Sequence, residues 1–244
     1  MDDSRTKIFM LVEGERREHD FVKRLFSLYN LDLEYEIVTY NSKIYSLYNE
    51  MFVYNDPEDM DLLQVLKSRE RNPDKKAIFD EAYSDILLVF DLDPQDPEYT
   101  PEKIKRMTAY FTESTDVGKL YLNYPMIESF YHMQAIPDPL YDGRYALLAE
   151  LRAKTYKKRV GMENRDHDYR KFARTKAECS TVIRQNLNKA CDLIHEEHQF
   201  IVEQEKVLLA QLTLLDSEEK VAVLNTCVFF ISEYDSGLIA DSLV

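Results

Sequence analysis

The sequence predicts an α/β protein: a mainly parallel four-stranded sheet flanked by helices, followed by a C-terminal helical extension. Three observations predict it. Short apolar runs alternate with amphipathic ones through the first 135 residues; acidic residues stand at the exits of two apolar runs; and after Pro137 and Pro139 the pattern turns continuously helical. The expected division is therefore residues 1–137 as the sheet domain and 138–244 as a mostly helical extension.

Residues 7–12 (KIFMLV) read as a buried strand because the apolar run is unbroken. Phe21, Val22, Leu25, Phe26 and Tyr29 then recur three and four apart, the spacing of one helix face. Residues 35–40 form a second strand candidate. Ile44, Leu47, Tyr48 and Met51 give another helical stripe, and residues 60–69 a further helix, broken near Asn72 and Pro73. Residues 84–90 supply the strongest strand. Thr100 before Pro101 marks a capped helix start. Residues 119–122 make a fourth strand, and 125–133 a helix. Beyond them, residues 145–160, 169–195, 198–215 and 217–234 read as helices; the apolar run at 221–231 has the alternative of returning to the sheet as a strand.

Composition narrows the class. The chain has 244 residues, 45% of them hydrophobic and 31% charged, as in a folded globular protein. The opening MDDSRTK lacks the apolar core of a signal peptide and no run is long enough for a membrane span, so a cytoplasmic location is expected. Three cysteines, Cys179, Cys191 and Cys227, show no CxxC spacing, against both a disulfide framework and a cysteine zinc site. His195 and His198 are three apart, which differs from the HExxH spacing of zinc proteases.

The acids carry the chemistry. Glu13, Glu15 and Glu18 follow the first strand, and Asp91 and Asp93 follow the third. In an open parallel sheet the carboxyl ends of strands face the ligand crevice, so Glu13 and Asp91 meet there and Asp93 joins through a tight turn at which Gly14's neighbouring bend also helps. Oxygen-rich sites of this kind suit Mg2+, or Mn2+, which meet phosphate oxygens and activate water. A second ion about 4 Å away would draw on Glu15, Glu18 or Asp96. The bland alternative is that such acids cap helices or lie in solvated loops.

Charge is uneven as well. The formal net charge is −14, which repels polyanions. Residues 152–189 nevertheless hold twelve basic residues against four acids, a local +8. This window faces either a nucleic-acid backbone or an acidic patch of the protein or a partner. In the first case Arg165, Arg170, Lys171 and Arg174 line a phosphate track, with Lys157 or Lys158 nearest the metal. Leu187, Cys191, Ile194, Phe200, Ile201, Val207 and Leu208 form an apolar stripe suited to interdomain packing or to a homodimer.

Val12-Glu13-Gly14-Glu15 with Glu18, and Phe90-Asp91-Leu92-Asp93, resemble the signature of the TOPRIM fold, the magnesium-binding module of topoisomerases, primases and OLD-type nucleases. Asn123 to Phe130, with Pro125 and Glu128 inside it, is similar to a stretch of the RloB-like and OLD-type TOPRIM proteins of bacterial defence systems. The resemblance covers residues 7–135. It implies metal-dependent cleavage of RNA or DNA, in an antiphage effector, with Glu13 as metal ligand or general base, Asp91 and Asp93 as ligands, and Glu128 as a further acid. It also implies a catalytic lysine beside a tyrosine, a place open to Lys157 or Lys158 after Tyr156, and an ATPase partner of the ABC type. The chain itself has no GxxxxGK[ST] sequence. The competing expectation is a noncatalytic nucleic-acid-binding or regulatory subunit of an ATPase complex.

Overall fold

Parallel pairing of the apolar runs organises the chain. The computed structural model describes residues 7–31, 34–53 and 56–240; the opening segment up to residue 6 lies outside them. In chain order the elements are β1 (Lys7–Val12), α1 (Arg17–Tyr29), β2 (Glu34–Thr39), α2 (Ile44–Tyr48), α3 (Leu62–Arg69), α4 (Pro73–Lys76), β3 (Asp85–Asp91), α5 (Pro101–Tyr110), β4 (Thr112–Glu113) and β5 (Gly118–Tyr124). There follow β6 (Tyr145–Leu147), α6 (Leu148–Arg152), α7 (Tyr156–Glu163), α8 (Lys176–Leu193), α9 (Gln204–Glu218), β7 (Lys220–Ala222), β8 (Leu224–Asn225), α10 (Phe229–Tyr234) and α11 (Gly237–Ala240).

The four expected strands are β2, β1, β3 and β5, adjacent in that order and all parallel. β1 sits between β2 and β3, and its residues Ile8 to Val12 are all buried, which is why its sequence shows no polar alternation. The buried side of α1 consists of Phe21, Val22, Leu25, Phe26 and Tyr29, the stripe read from spacing. Thr100 caps α5 by accepting from the Lys103 N–H at 3.3 Å, with Pro101 in the first turn.

The sheet has six strands rather than four. β3 covers one edge of β5, so β4 and β8 share the other, each antiparallel, at the start and end of β5 respectively. Two-residue strands carry no readable period. β8 also contains Asn225, a polar residue that breaks the apolar run in sequence. Its backbone N–H donates to Asn186 Oδ1 at 2.7 Å, and the Thr226 hydroxyl next to it donates to Leu122 O at 2.7 Å. These two groups are satisfied, whereas the Asn225 side-chain Nδ2 finds no partner among the described residues.

The expected mostly helical extension also contains short strands. Residues 145–147 pair with 220–222 as a small antiparallel sheet, and residues 164–175 are irregular. The turn expected as a helix at 125–133 is a tight 3-10 turn, Ile127–Tyr131. Nor do residues 138–244 form a separate core. One hydrophobic cluster runs from Ile8 to Ile239, Phe26 packs on Phe230 of α10 at 5.4 Å, and the Tyr29 and Ser180 hydroxyls join α1 to α8 at 2.8 Å. The late apolar stripe mostly serves this core: Leu187, Cys191, Val207 and Leu208 are buried, while Phe200 and Ile201 are exposed. Among the described residues no helix is long and apolar enough to cross a membrane.

A buried polar network fastens α7 to the sheet side. The His132 ring is fully buried between Tyr156 and Glu163, with Nδ1 3.1 Å from the Tyr156 hydroxyl and Nε2 2.9 Å from Glu163 Oε2. Arg144 donates to the same Glu163 oxygen at 2.8 Å and to Asp138 at 2.9 Å. Arg144 thus already balances Glu163, and a neutral His132 satisfies both neighbours by donating from Nε2 and accepting at Nδ1. Burial accordingly pushes the imidazole down to about 4. Because the unfolded chain binds the proton first, its contribution is intact above pH 6.5 and is lost as pH falls toward 4, by roughly 3 kcal/mol in total. Urea unfolding across that window should show this slope, and His132→Gln should flatten it.

Candidate active site

Parallel register brings the acids together. Val12 pairs with Val89 and Asp91 with Asn123, so the exits of β1, β3 and β5 lie at one edge of the sheet. Glu13 then turns toward β3, where its Oε2 accepts the Asp91 backbone N–H at 3.2 Å. The Asp91 carboxylate is buried. One of its oxygens, Oδ1, accepts from the Ile127 N–H at 2.8 Å and from Asn123 Nδ2 at 3.2 Å, and the other makes no hydrogen bond among the described residues. Asp93 completes the tight turn after β3 in a left-handed conformation, φ 43°, with its N–H on Pro125 O at 3.1 Å. Such a backbone is unusual outside glycine, and aspartate is among the residues that tolerate it best.

Gly14 has a different role from the one its spacing suggested. It does not adopt a positive φ; rather, a Cβ there would stand 2.5 Å from Glu18 Oε2, so the missing side chain makes room for the Glu18 carboxylate. Glu18 is therefore the nearby fourth charge, while Glu15 is exposed.

Burial and proximity leave these acids poorly compensated. Burial, followed by the charges of Asp93 and Glu18, pushes the Glu13 carboxyl up to about 8 against the opposing effect of the Asp91 N–H. Burial and the charges of Glu13, Asp93 and Glu18 raise Asp91 well above the usual carboxylate range. Lys43, unremarked in the sequence, pairs with Asp96, and that pairing with the charges of Asp93 and Glu13 raises its own pKa. Asp96 is thereby taken up by Lys43 and by the Glu98 N–H at 2.8 Å.

Glu128 lies in the turn that Asp91 anchors through Ile127. Its buried carboxylate pairs with Arg17 of α1 and with Lys157 of α7, the latter at 3.1 Å. Glu128 Oε2 and Asn123 Oδ1 are buried without a hydrogen-bond partner among the described residues. Lys157 thus reaches the acidic edge, whereas Lys158 is exposed and makes no ion pair among the described residues. Arg17 was not legible as a site residue, because nothing in its spacing places it beside a turn 111 residues later.

The basic window is divided. Lys189 is buried under Tyr141, and its ammonium is taken up by Tyr141 O and Arg144 O at 2.8 Å. Arg165 is engaged by Asp166 at 2.9 Å and Glu178 at 2.7 Å. Arg170, Lys171 and Arg174 are exposed, with Arg170 bound to its neighbour Asp168 and Arg174 donating to Arg170 O. The window thus meets acids of the protein itself, some within it (Asp166, Asp168, Glu178) and some outside it (Glu128, Glu150).

Among the described residues no three His, Cys, Asp or Glu side chains are gathered as a preformed cage. The donors fit a hard cation that keeps several waters: Glu13, Asp91 and Asp93 offer few carboxylates, and Asn123, bonded to Asp91 through Nδ2, keeps an orphaned amide oxygen among the described residues. A cavity of about 500 Å3 lined by Met60, Ile86, Tyr110 and Asp116 lies at the opposite ends of the strands and touches none of these groups. Comparison with protein-family models, curated proteins and solved structures found no match to this chain.

A divalent ion should relieve the acid cluster. Millimolar Mn2+ or Mg2+ is expected to raise the melting temperature of the protein, and Asp91→Asn to abolish most of that rise. In chelator, Asp93→Asn should be more stable than the unsubstituted protein by about 1 kcal/mol, since it removes one of the like charges. Equal responses with and without Asp91 would separate the cluster from metal binding.

Proposed function

We propose that the chain is a magnesium-dependent phosphodiesterase acting on RNA or DNA, with a TOPRIM-like sheet. The observation that carries the proposal is the meeting of Glu13, Asp91 and Asp93 at one sheet edge, where burial and mutual repulsion make the carboxylates costly to ionise together unless a divalent cation balances them. Mn2+ would serve the same donors. Glu13, Asp91 and Asp93 would hold the ion, which supplies an activated water and charge neutralisation at phosphate.

The chain's own groups divide the remaining tasks. Asp91 is fixed in orientation by Asn123 and Ile127. Glu13 is placed either to ligate or to accept the proton of the attacking water. Glu128 positions Lys157 and Arg17, and when a phosphate arrives these cations can turn from the carboxylate to the developing charge on its oxygens. Lys157 therefore takes the catalytic role over Lys158. Arg170, Lys171 and Arg174 extend the cationic surface; Arg165, held by two carboxylates, contributes chiefly to loop structure.

The resemblance carries the biological setting, an antiphage effector held or triggered by an ABC-type ATPase. Size measurements with and without such a partner test that part separately from chemistry.

Purified protein with Mg2+ should cleave a mixture of single- and double-stranded oligonucleotides. Glu13→Gln and Asp91→Asn should each lower the single-turnover rate by on the order of 10²-fold or more. Lys157→Ala should cost about 10²-fold at saturating substrate, with Lys158→Ala close to unsubstituted. Undiminished cleavage in Glu13→Gln would remove Glu13 from the mechanism.

A further inference from the structure

We propose that Tyr169 is a base-stacking platform, which makes a single-stranded nucleic acid the substrate of the site. The inference rests on the phosphodiesterase reading above and names its substrate class. Tyr169 stands in the irregular segment between α7 and α8, 45% exposed, an unusual position for a large ring in a segment otherwise anchored by buried Phe172 and Ala173. Its ring touches groups already tied to the acidic edge. The Arg17 guanidinium lies 5.0 Å from its centroid, and Tyr131 meets it edge-on at 5.8 Å. Arg17 also binds Glu128, and Tyr131 ends the turn whose first N–H is on Asp91.

The segment is held rigidly. Asn164 Nδ2 donates to Tyr131 O at 2.7 Å and the Arg165 N–H to Met133 O at 2.8 Å. The Asp166 N–H returns to Asn164 Oδ1 at 3.0 Å. His167 and Ala173 keep left-handed backbones, φ 51° and 49°, conformations that persist only where the surroundings over-determine them. A half-exposed ring on a rigid loop, flanked by cations, is a surface that a nucleobase covers at little ordering cost. Arg17, 38% exposed, Lys157, 61% exposed, and Arg170, 73% exposed, would meet the adjoining phosphates.

Duplex cannot use this surface, because the faces of its bases are covered by their neighbours; unpaired bases present theirs. Stacking also answers the charge problem. In a chain of net charge −14 the electrostatic attraction to polyanions is local, and stacking adds affinity that does not depend on net charge.

Binding is measured without cleavage, in chelator, by anisotropy of 5′-labelled oligonucleotides of about 12 nucleotides, single-stranded and duplex. Tyr169→Ala should weaken single-strand binding about 5- to 100-fold, the range for loss of one stacked base, and leave the salt slope unchanged. Tyr169→Phe should bind within about twofold of the unsubstituted protein, since the hydroxyl is not the contact. The chain contains no tryptophan, so Tyr169→Trp adds a single fluorescent reporter whose emission should be quenched by the single strand and not by inorganic phosphate. Unchanged single-strand affinity in Tyr169→Ala, an equal loss for duplex, or unquenched emission would each overturn the proposal. Because no cleavage is read, stacking that holds in a protein without nuclease activity would retain the single-strand surface and reject the phosphodiesterase reading. Cleavage of single strands that is indifferent to Tyr169 would do the reverse.

Discussion

The Asp91 carboxylate is the constraint around which the functional edge is built. It is buried at the end of a central strand, and one of its oxygens, Oδ1, is matched from two places distant in sequence: the Asn123 side chain on the next strand and the Ile127 N–H at the start of the following turn. That anchorage places Glu128, and through it Arg17 and Lys157, beside the acids. The backbone of the same residue holds Glu13. One carboxylate therefore ties three strand exits and two helices to a common point.

Concentrating like charges in this way opposes folding, and the raised pKa values of Glu13 and Asp91 are its signature. Structures that retain such repulsion commonly do so for function, since perturbed carboxylates gather where catalysis or ion binding needs them. The cations that approach the edge stop at other carboxylates: Lys43 at Asp96, and both Arg17 and Lys157 at Glu128. Among the described residues the inner acids are left without a paired cation. Under the proposed function this separation would leave the inner acids to a metal ion and the basic side chains to phosphate.

The small C-terminal elements serve the same end. β8 closes the outer edge of β5 just where Asn123 pairs with Asn225, so the strand that orients Asp91 is itself fixed by a segment a hundred residues later. Gln211 of α9 reinforces this return, exchanging hydrogen bonds with the backbone of Ala222 at 2.8 and 2.9 Å. Site and C-terminal segment are thus parts of one packed unit rather than a sheet domain carrying an appendage.

By itself the sequence determined the four parallel strands, the α1 stripe, the capped start of α5 and the presence of acids at strand exits. These are local: period, caps and turn residues act within a few positions, and a buried parallel strand announces itself as an unbroken apolar run. Only the tertiary structure decided the rest. β4 and β8 are too short to show a period, and Asn225 looks like an interruption until it is seen paired with Asn123 of β5. The selection of Glu18 over Glu15, of Lys157 over Lys158, and of Arg17 at all depends on which side chains reach across the fold, as does the burial of Lys189 within a window that reads as uniformly basic. Charge can be counted along a chain, but whether a charge faces solvent, a carboxylate or a carbonyl is settled by packing between residues far apart in sequence.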